Sequence, residues 1–429
     1  MFKNHEFKIV KDAKLADILV INTCGFIDSA KEEAINTILE MAEYKKKRCK
    51  YLIVMGCLVQ RYKEELQKAL PEVDLFIKLE EYDKLWEKIE KYLNTKMEEK
   101  MPENKKQEKL KVLPIPNFQE FMQRVITTGK NYAYLKIGEG CSNFCTYCAI
   151  PYIRGPFVSR KKEEIIEEAK MLAEKGIKEL IIIAQDTTKY GIDLYKKPGL
   201  PNLLEEISKI NGIEWIRFLY SYPEGISKEL IETVKNNKKI LPYFDIPIQH
   251  ISNKLLKKMN RKTSKEEIIN LIKEIRKNIP NATLRTSIIV GFPGETNEDF
   301  EELMDFIELA KFDNLGAFMY SKEEGTPAAS FKNQIHGNTK KSRYNKLMQK
   351  QQEIVRKKLE EQIQKQDTVL VEDISFDSKF LIGRTKNQAP DIDGITYIIN
   401  ENNENCINNF VDVKITKVLD YDVQAQIIK

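Results

Sequence analysis

The chain has 429 residues, 42% of them hydrophobic and 31% charged, which suggests about three domains and excludes a disordered or collagen-like chain. No apolar run reaches the roughly 20 residues of a membrane helix, and the opening MFKNHEFKIVKDAK lacks the apolar centre of a signal peptide, so a cytoplasmic protein without a membrane partner is expected. The net charge of +5 says little, but three of the seven cysteines fall within eight residues, which suits metal ligation in a reducing compartment better than a disulfide framework.

In chain order, residues 17 to 23 and 51 to 56 are apolar runs of strand length, with a helical stretch at 28 to 44 between them. This is a βαβ pattern, whose parallel strands end on one edge; Cys24 and Cys57 fall just beyond those ends. A helix near 81 to 93 leads into a charged stretch punctuated by Pro114 and Pro116, which reads as a linker. From Tyr132, six strand-like runs (132–138, 178–184, 214–220, 243–248, 283–290, 314–320) alternate with amphipathic helices. That alternation predicts a parallel sheet covered by helices, an incomplete barrel rather than a full eight-unit one. A long basic helix from Lys340 to Lys365 follows, then five short strands that predict a small antiparallel barrel. The expected domains are 1–100, a linker at 101–130, a core at 131–338, a connecting helix at 339–364 and a terminal barrel at 365–429.

The chemistry concentrates in GEGCSNFCTYCAIP, where Cys141, Cys145 and Cys148 follow the first core strand. Three thiolates in one short loop can hold three irons of a 4Fe-4S cluster and leave the fourth open to a ligand. Tetrahedral zinc is the alternative, but it needs a fourth ligand, and the nearest histidine in sequence is His250. The candidates for binding a cofactor beyond the cluster are Gln185 and Asp186, Gln249 and His250, and Gly291 to Glu295 at the carboxyl ends of the core strands, with Arg285 in the fifth strand. The glycines of GFPGET let backbone approach a ligand, or make a tight turn. His250 is given no acid-base role. Cys49, before a strand and at the opposite edge from Cys57, and Cys406, in an Asn-rich turn, read as structural.

The spacing Cys-x3-Cys-x2-Cys, with Tyr147 before the last cysteine, resembles the radical S-adenosylmethionine superfamily. The resemblance implies that the open iron holds S-adenosylmethionine, that a 5′-deoxyadenosyl radical forms, and that Tyr147 lies against the adenine, where packing is its other explanation. Ordinary protein bases, with pKa values up to about 10, cannot take a hydrogen from unactivated carbon as a proton. NTCGFIDSAKEEAI, GCLVQRY, IPYIRGPFVSR, FDIPIQHISNKLLKKMNR, LRTSIIVGFPGET and YSKEEGTPAA extend the likeness to the methylthiotransferases. These carry an N-terminal methylthiotransferase domain, a radical barrel and a C-terminal TRAM barrel. NTCGFI, AIPYIRGP, IQHIS and YSKEEGTPAA favour the branch that modifies an aspartate of a small-subunit ribosomal protein, S-twelve, over the branch that modifies adenosine in transfer RNA.

From Lys365 to Lys429, 7 Lys and Arg stand against 11 Asp and Glu, a net −4 that leaves +9 on the other 364 residues. A barrel gripping RNA should be basic, whereas an acidic one suits a basic protein partner, so no direct RNA specificity is expected. By the resemblance, Cys24 and Cys57 are two of three ligands of an auxiliary 4Fe-4S cluster, and an electron donor and a sulfur source are further partners. The third ligand, in an LGC motif, would precede Met1. The opening residues read like the end of a helix and the strand after it, which favours a preceding segment over a cluster short of one ligand. A catalytically incomplete, substrate-binding protein is the reading from a different class.

Overall fold

The computed structural model describes residues 2–5, 7–95, 124–129, 131–401 and 405–428. Most of the linker expected at 101–130 lies outside the described residues. The chain forms two compact units: one of residues 1–124, 139–158 and 321–330, the other of residues 125–138, 159–320 and 331–429.

In the first unit, β1 (Ile18–Thr23), α1 (Asp28–Ala42), β2 (Tyr51–Gly56), α2 (Cys57–Ala69) and β3 (Leu75–Ile77) make a parallel sheet in the order β1-β2-β3. Ile38 of α1, Leu52 and Val54 of β2, Leu58 and Val59 of α2 and Phe76 of β3 close its core. The strand β3 is not expected from sequence, because three residues between PEVD and KLEEY fall below the length at which a strand pattern registers. The expected helix near 81 to 93 is a 3₁₀ turn, Leu79–Lys84, followed by α3 (Leu85–Thr95). The opening segment differs from the helix end and strand expected there. Residues 7–12 form neither helix nor strand, because Phe2, His5 and Phe7 instead gather on Trp86.

In the second unit, β4 (Tyr132–Lys136), β5 (Glu179–Ile183), β6 (Trp215–Phe218), β7 (Ile240–Asp245), β8 (Thr283–Val290) and β9 (Asn314–Met319) form one six-stranded sheet. They lie in sequential order with every pair parallel, and helices cross between them: the partial barrel expected from the alternation. The strand expected at 243–248 starts at Ile240, and the register with β6 shifts between Ile216 and Phe218. Pro242 stands within that shifted stretch, since proline inside a sheet belongs at an irregularity.

Helix Gly337–Glu360 leads to β10 (Gln366–Ile374), β11 (Phe380–Thr385), β12 (Thr396–Ile399), β13 (Phe410–Leu419) and β14 (Asp422–Ile427). These close into a barrel in the order β10-β11-β12-β14-β13. It is antiparallel as expected except for β12 and β14, which pair in parallel.

Two features fasten this barrel to the amino-terminal ends of the sheet strands. Arg384 reaches Glu179 at 2.6 Å and also bonds Glu372, while Arg217 holds the other Glu179 oxygen at 2.8 Å. The loop after β11 plugs the sheet: Ala389 packs with Ile181, Leu219, Leu241 and Tyr243, and Asp393 accepts from Tyr243 Oη at 2.6 Å. The carboxyl edge, where ligands bind such sheets, is the opposite end.

Candidate iron-sulfur site

Within the first unit, local geometry brings two cysteine-bearing turns together. Thr23 of β1 and Gly56 of β2 are register partners, so Cys24 and Cys57 are the next residues on adjacent strands, at one edge, where strands lie about 4.8 Å apart. Two glycines permit the approach. A Cβ on Gly56, at φ +108°, would stand 2.5 Å from Thr23 O, and one on Gly25 would meet the Leu58 backbone at 2.8 Å. Cys24 is exposed, whereas Cys57 is buried and opens α2, whose first N–H groups lack helical partners and favour an anionic group. Cys49 donates to Tyr51 O at 3.3 Å before β2, and burial pushes its thiol up, as suits a structural cysteine. Cys406 packs on the core of the terminal barrel.

The loop that follows β4 in sequence carries Cys141 and Cys145, both buried, and Cys148, half-buried. Cys141 N donates to Gly155 O at 3.1 Å and Cys148 N to Cys145 O at 3.0 Å, which fold the three into one turn. Gly140 at φ +78° is required, because a Cβ there would stand 2.2 Å from Pro156 O. Burial pushes the Cys148 thiol up to about 12, and the neighbouring Cys145 and Cys141 add to the shift. Thiolates crowded in this way repel one another, and a bound cation relieves exactly that penalty by deprotonating its ligands. Among the described residues no three Cys, His, Asp or Glu side chains stand in metal-holding geometry. Tyr147 is half-buried between the last two cysteines.

Two residues that sequence reading did not single out tie this unit together. Arg154, in α4 (Ile150–Arg154), donates to Glu139 Oε1 at 2.8 Å and to Cys57 Sγ at 3.2 Å. Burial disfavours its charge, but Glu139 and Cys57 outweigh burial and hold the guanidinium protonated. Glu323, 2% exposed, accepts from Asp28 N at 3.1 Å and Lys31 Nζ at 3.0 Å, at the start of α1. From the same segment Ala328 N reaches Thr146 O at 2.9 Å. The motifs AIPYIRGP and YSKEEGTPAA contain both residues, but nothing in their spacing names their partners.

In the second unit, Gln185 is half-buried just past β5, and Asp186 caps the following turn by accepting from Thr188 N. Gln249 takes φ +70° while its N bonds Ser287 O and its C=O receives Ile289 N. A left-handed non-glycine residue, costing on the order of 1–2 kcal/mol, is a pointer to function. Gly291, at φ +72°, donates to Glu295, and a Cβ there would run into the Lys340 side chain, so the turn itself calls for glycine. His250 is fully buried: Nδ1 accepts from Ser252 N at 3.0 Å and Nε2 faces Glu295 at 3.9 Å. Arg285 is tied to Asp245 at 2.8 Å.

The fold and the three-cysteine loop define the class. The sequence matches the radical SAM superfamily over residues 135–307, the uncharacterized protein family UPF0004 over 1–78 and the TRAM domain over 365–428. A solved radical S-adenosylmethionine methyltransferase, TsrM from Kitasatospora setae, is 12% identical with a TM-score of 0.53, covering 73% of this chain and 66% of that one; it supports the fold alone. Two curated relatives, from Alkaliphilus oremlandii and Acetivibrio thermocellus, are 55% and 49% identical over 100% of this chain and 94% of their own lengths; each is a ribosomal protein uS12 methylthiotransferase, RimO. The chain belongs to that family of radical S-adenosylmethionine methylthiotransferases. Membership implies a 4Fe-4S cluster and S-adenosylmethionine, which the donor set at Cys141, Cys145 and Cys148 fits. Among the described residues no helix is long and apolar enough to cross a membrane.

Proposed function

We propose that the protein replaces a C–H bond by C–S–CH3 at the β-carbon of one aspartate of ribosomal protein uS12, in the cytoplasm. Cys141, Cys145 and Cys148 hold the initiating cluster, and Cys24 and Cys57 contribute to an auxiliary one. When bound, the initiating cluster would supply the electron that cleaves S-adenosylmethionine and so provide a hydrogen-abstracting radical; a second S-adenosylmethionine gives its methyl group to sulfur held at the auxiliary site, with an electron donor and a sulfur source as further partners. The chain's residues do the holding: Gly56 and Gly25 bring the two auxiliary turns together, Tyr147 lies along the adenine, and Gln185, Gln249 and Gly291 are the cofactor contacts. Arg285 steadies the sheet from its bond to Asp245. The acidic terminal barrel favours a basic protein partner over RNA.

The observation that carries this reading is the placement of all five cysteines in one compact unit whose two glycines are shaped to bring Cys24 and Cys57 together. Iron analysis of the anaerobically reconstituted protein tests it. About eight irons per chain, with 5′-deoxyadenosine formed on reduction, is expected for two clusters. About four would place iron at the initiating loop alone and support the catalytically incomplete reading. Zinc with no 5′-deoxyadenosine would reject radical chemistry.

A further inference from the structure

The methylthiotransferase chemistry accounts for the cysteines but gives no role to the partly buried ion pair that spans their loop. Glu139 stands just before Cys141 and is 7% exposed; Arg154 stands after Cys148. Their bond at 2.8 Å therefore closes the base of the loop, and Gly140 N adds a second contact to the same carboxylate at 3.3 Å. Arg154 does not stop there. Its other terminal nitrogen donates to Cys57 Sγ at 3.2 Å, well inside the reach of an N–H···S bond. One rigid guanidinium thus holds a carboxylate of the initiating loop and the sulfur of the auxiliary site. The fork geometry of arginine suits this double duty, and a lysine would reach one partner at a time.

The surroundings decide how much such a bond matters. Cys57 is packed with Leu79, Ala149 and Ile153, beside Tyr82. In an apolar pocket a charged donor on sulfur is worth more than in water. Hydrogen bonds to cluster sulfurs stabilise the more negative, reduced state and so raise the reduction potential. Glu139 fixes the donor's direction and holds it in place.

We propose that Arg154 is a positioning residue that joins the initiating loop to the auxiliary ligand Cys57 and, by donating to its sulfur, raises the reduction potential of the auxiliary cluster. This rests on the reading of Cys57 as an auxiliary ligand. The test uses the full-length chain with Cys141, Cys145 and Cys148 all replaced by Ala, so that the auxiliary cluster is the remaining iron centre. The protein is labelled with guanidino-¹⁵N arginine, reconstituted and titrated electrochemically under electron paramagnetic resonance.

The expected result is a ¹⁵N hyperfine coupling to the reduced cluster that disappears in Arg154→Lys and Arg154→Gln. The midpoint potential moves to more negative values in Arg154→Gln and lies between in Arg154→Lys, with iron retained in both. A full iron load with no ¹⁵N coupling, or with coupling and potential untouched by either substitution, overturns the proposal. Where Arg154→Gln fails to hold iron, Arg154→Lys is read alone by the same two measurements. Iron absent from the parent background is a different failure: it shows that Cys24 and Cys57 hold no cluster in this chain, and the proposal falls with it.

Discussion

Gly56 shows most clearly how a single residue sets the site. Its φ of +108° and the 2.5 Å that would separate a Cβ from Thr23 O leave no room for a side chain between the two cysteine-bearing turns. Gly56→Ala is expected to destabilise the fold by about 1–3 kcal/mol through backbone strain, read as a lower urea midpoint, and to lower iron retention at Cys24 and Cys57 while leaving the initiating cluster filled. The initiating cysteines give the complementary result: Cys148→Ala should abolish 5′-deoxyadenosine formation without moving the urea midpoint comparably. At this scale the cysteines were legible, because ligand spacing is a local property of sequence. Arg154 and Glu323 were not, because their importance lies in partners such as Cys57 and Lys31 that only the folded chain brings near.

Among the elements, the sheet of the second unit followed from its hydrophobic runs, and the departures have physical causes. Pro242 hid the start of β7, and the three residues of β3 were too few to show a pattern. The parallel pairing of β12 with β14 was equally invisible, since apolar alternation does not record strand direction. The fastening of the terminal barrel to the sheet is a buried network. Burial opposes the charge on Glu179, but Arg384 and Arg217 hold its carboxyl below the usual carboxylate range. A carboxylate depressed in the folded state contributes stability above its unfolded pKa and loses it as pH falls through the folded value. The network should therefore begin to weaken below about pH 4.3, and Glu179→Gln should flatten that acid limb. The same substitution leaves two buried guanidinium groups short of a partner and is expected to cost about 3–5 kcal/mol at neutral pH, measured by urea unfolding.

Across the whole molecule, charge is unevenly placed: −4 on residues 365–429 against +9 on the rest. If the acidic barrel steers a basic protein, raising ionic strength should slow association with uS12 far more than it speeds dissociation; stopped-flow measurements at two salt concentrations check this. The central claim is that initiating and auxiliary sites together complete sulfur insertion on a protein substrate. Its most direct test is the intact mass of uS12 from a gene-deleted strain carrying this chain, compared with one carrying the Cys57→Ala variant. One methylthio group on a single aspartate is expected with the parent chain and none with the variant. Unmodified uS12 alongside methylthiolated adenosine in transfer RNA would contradict it.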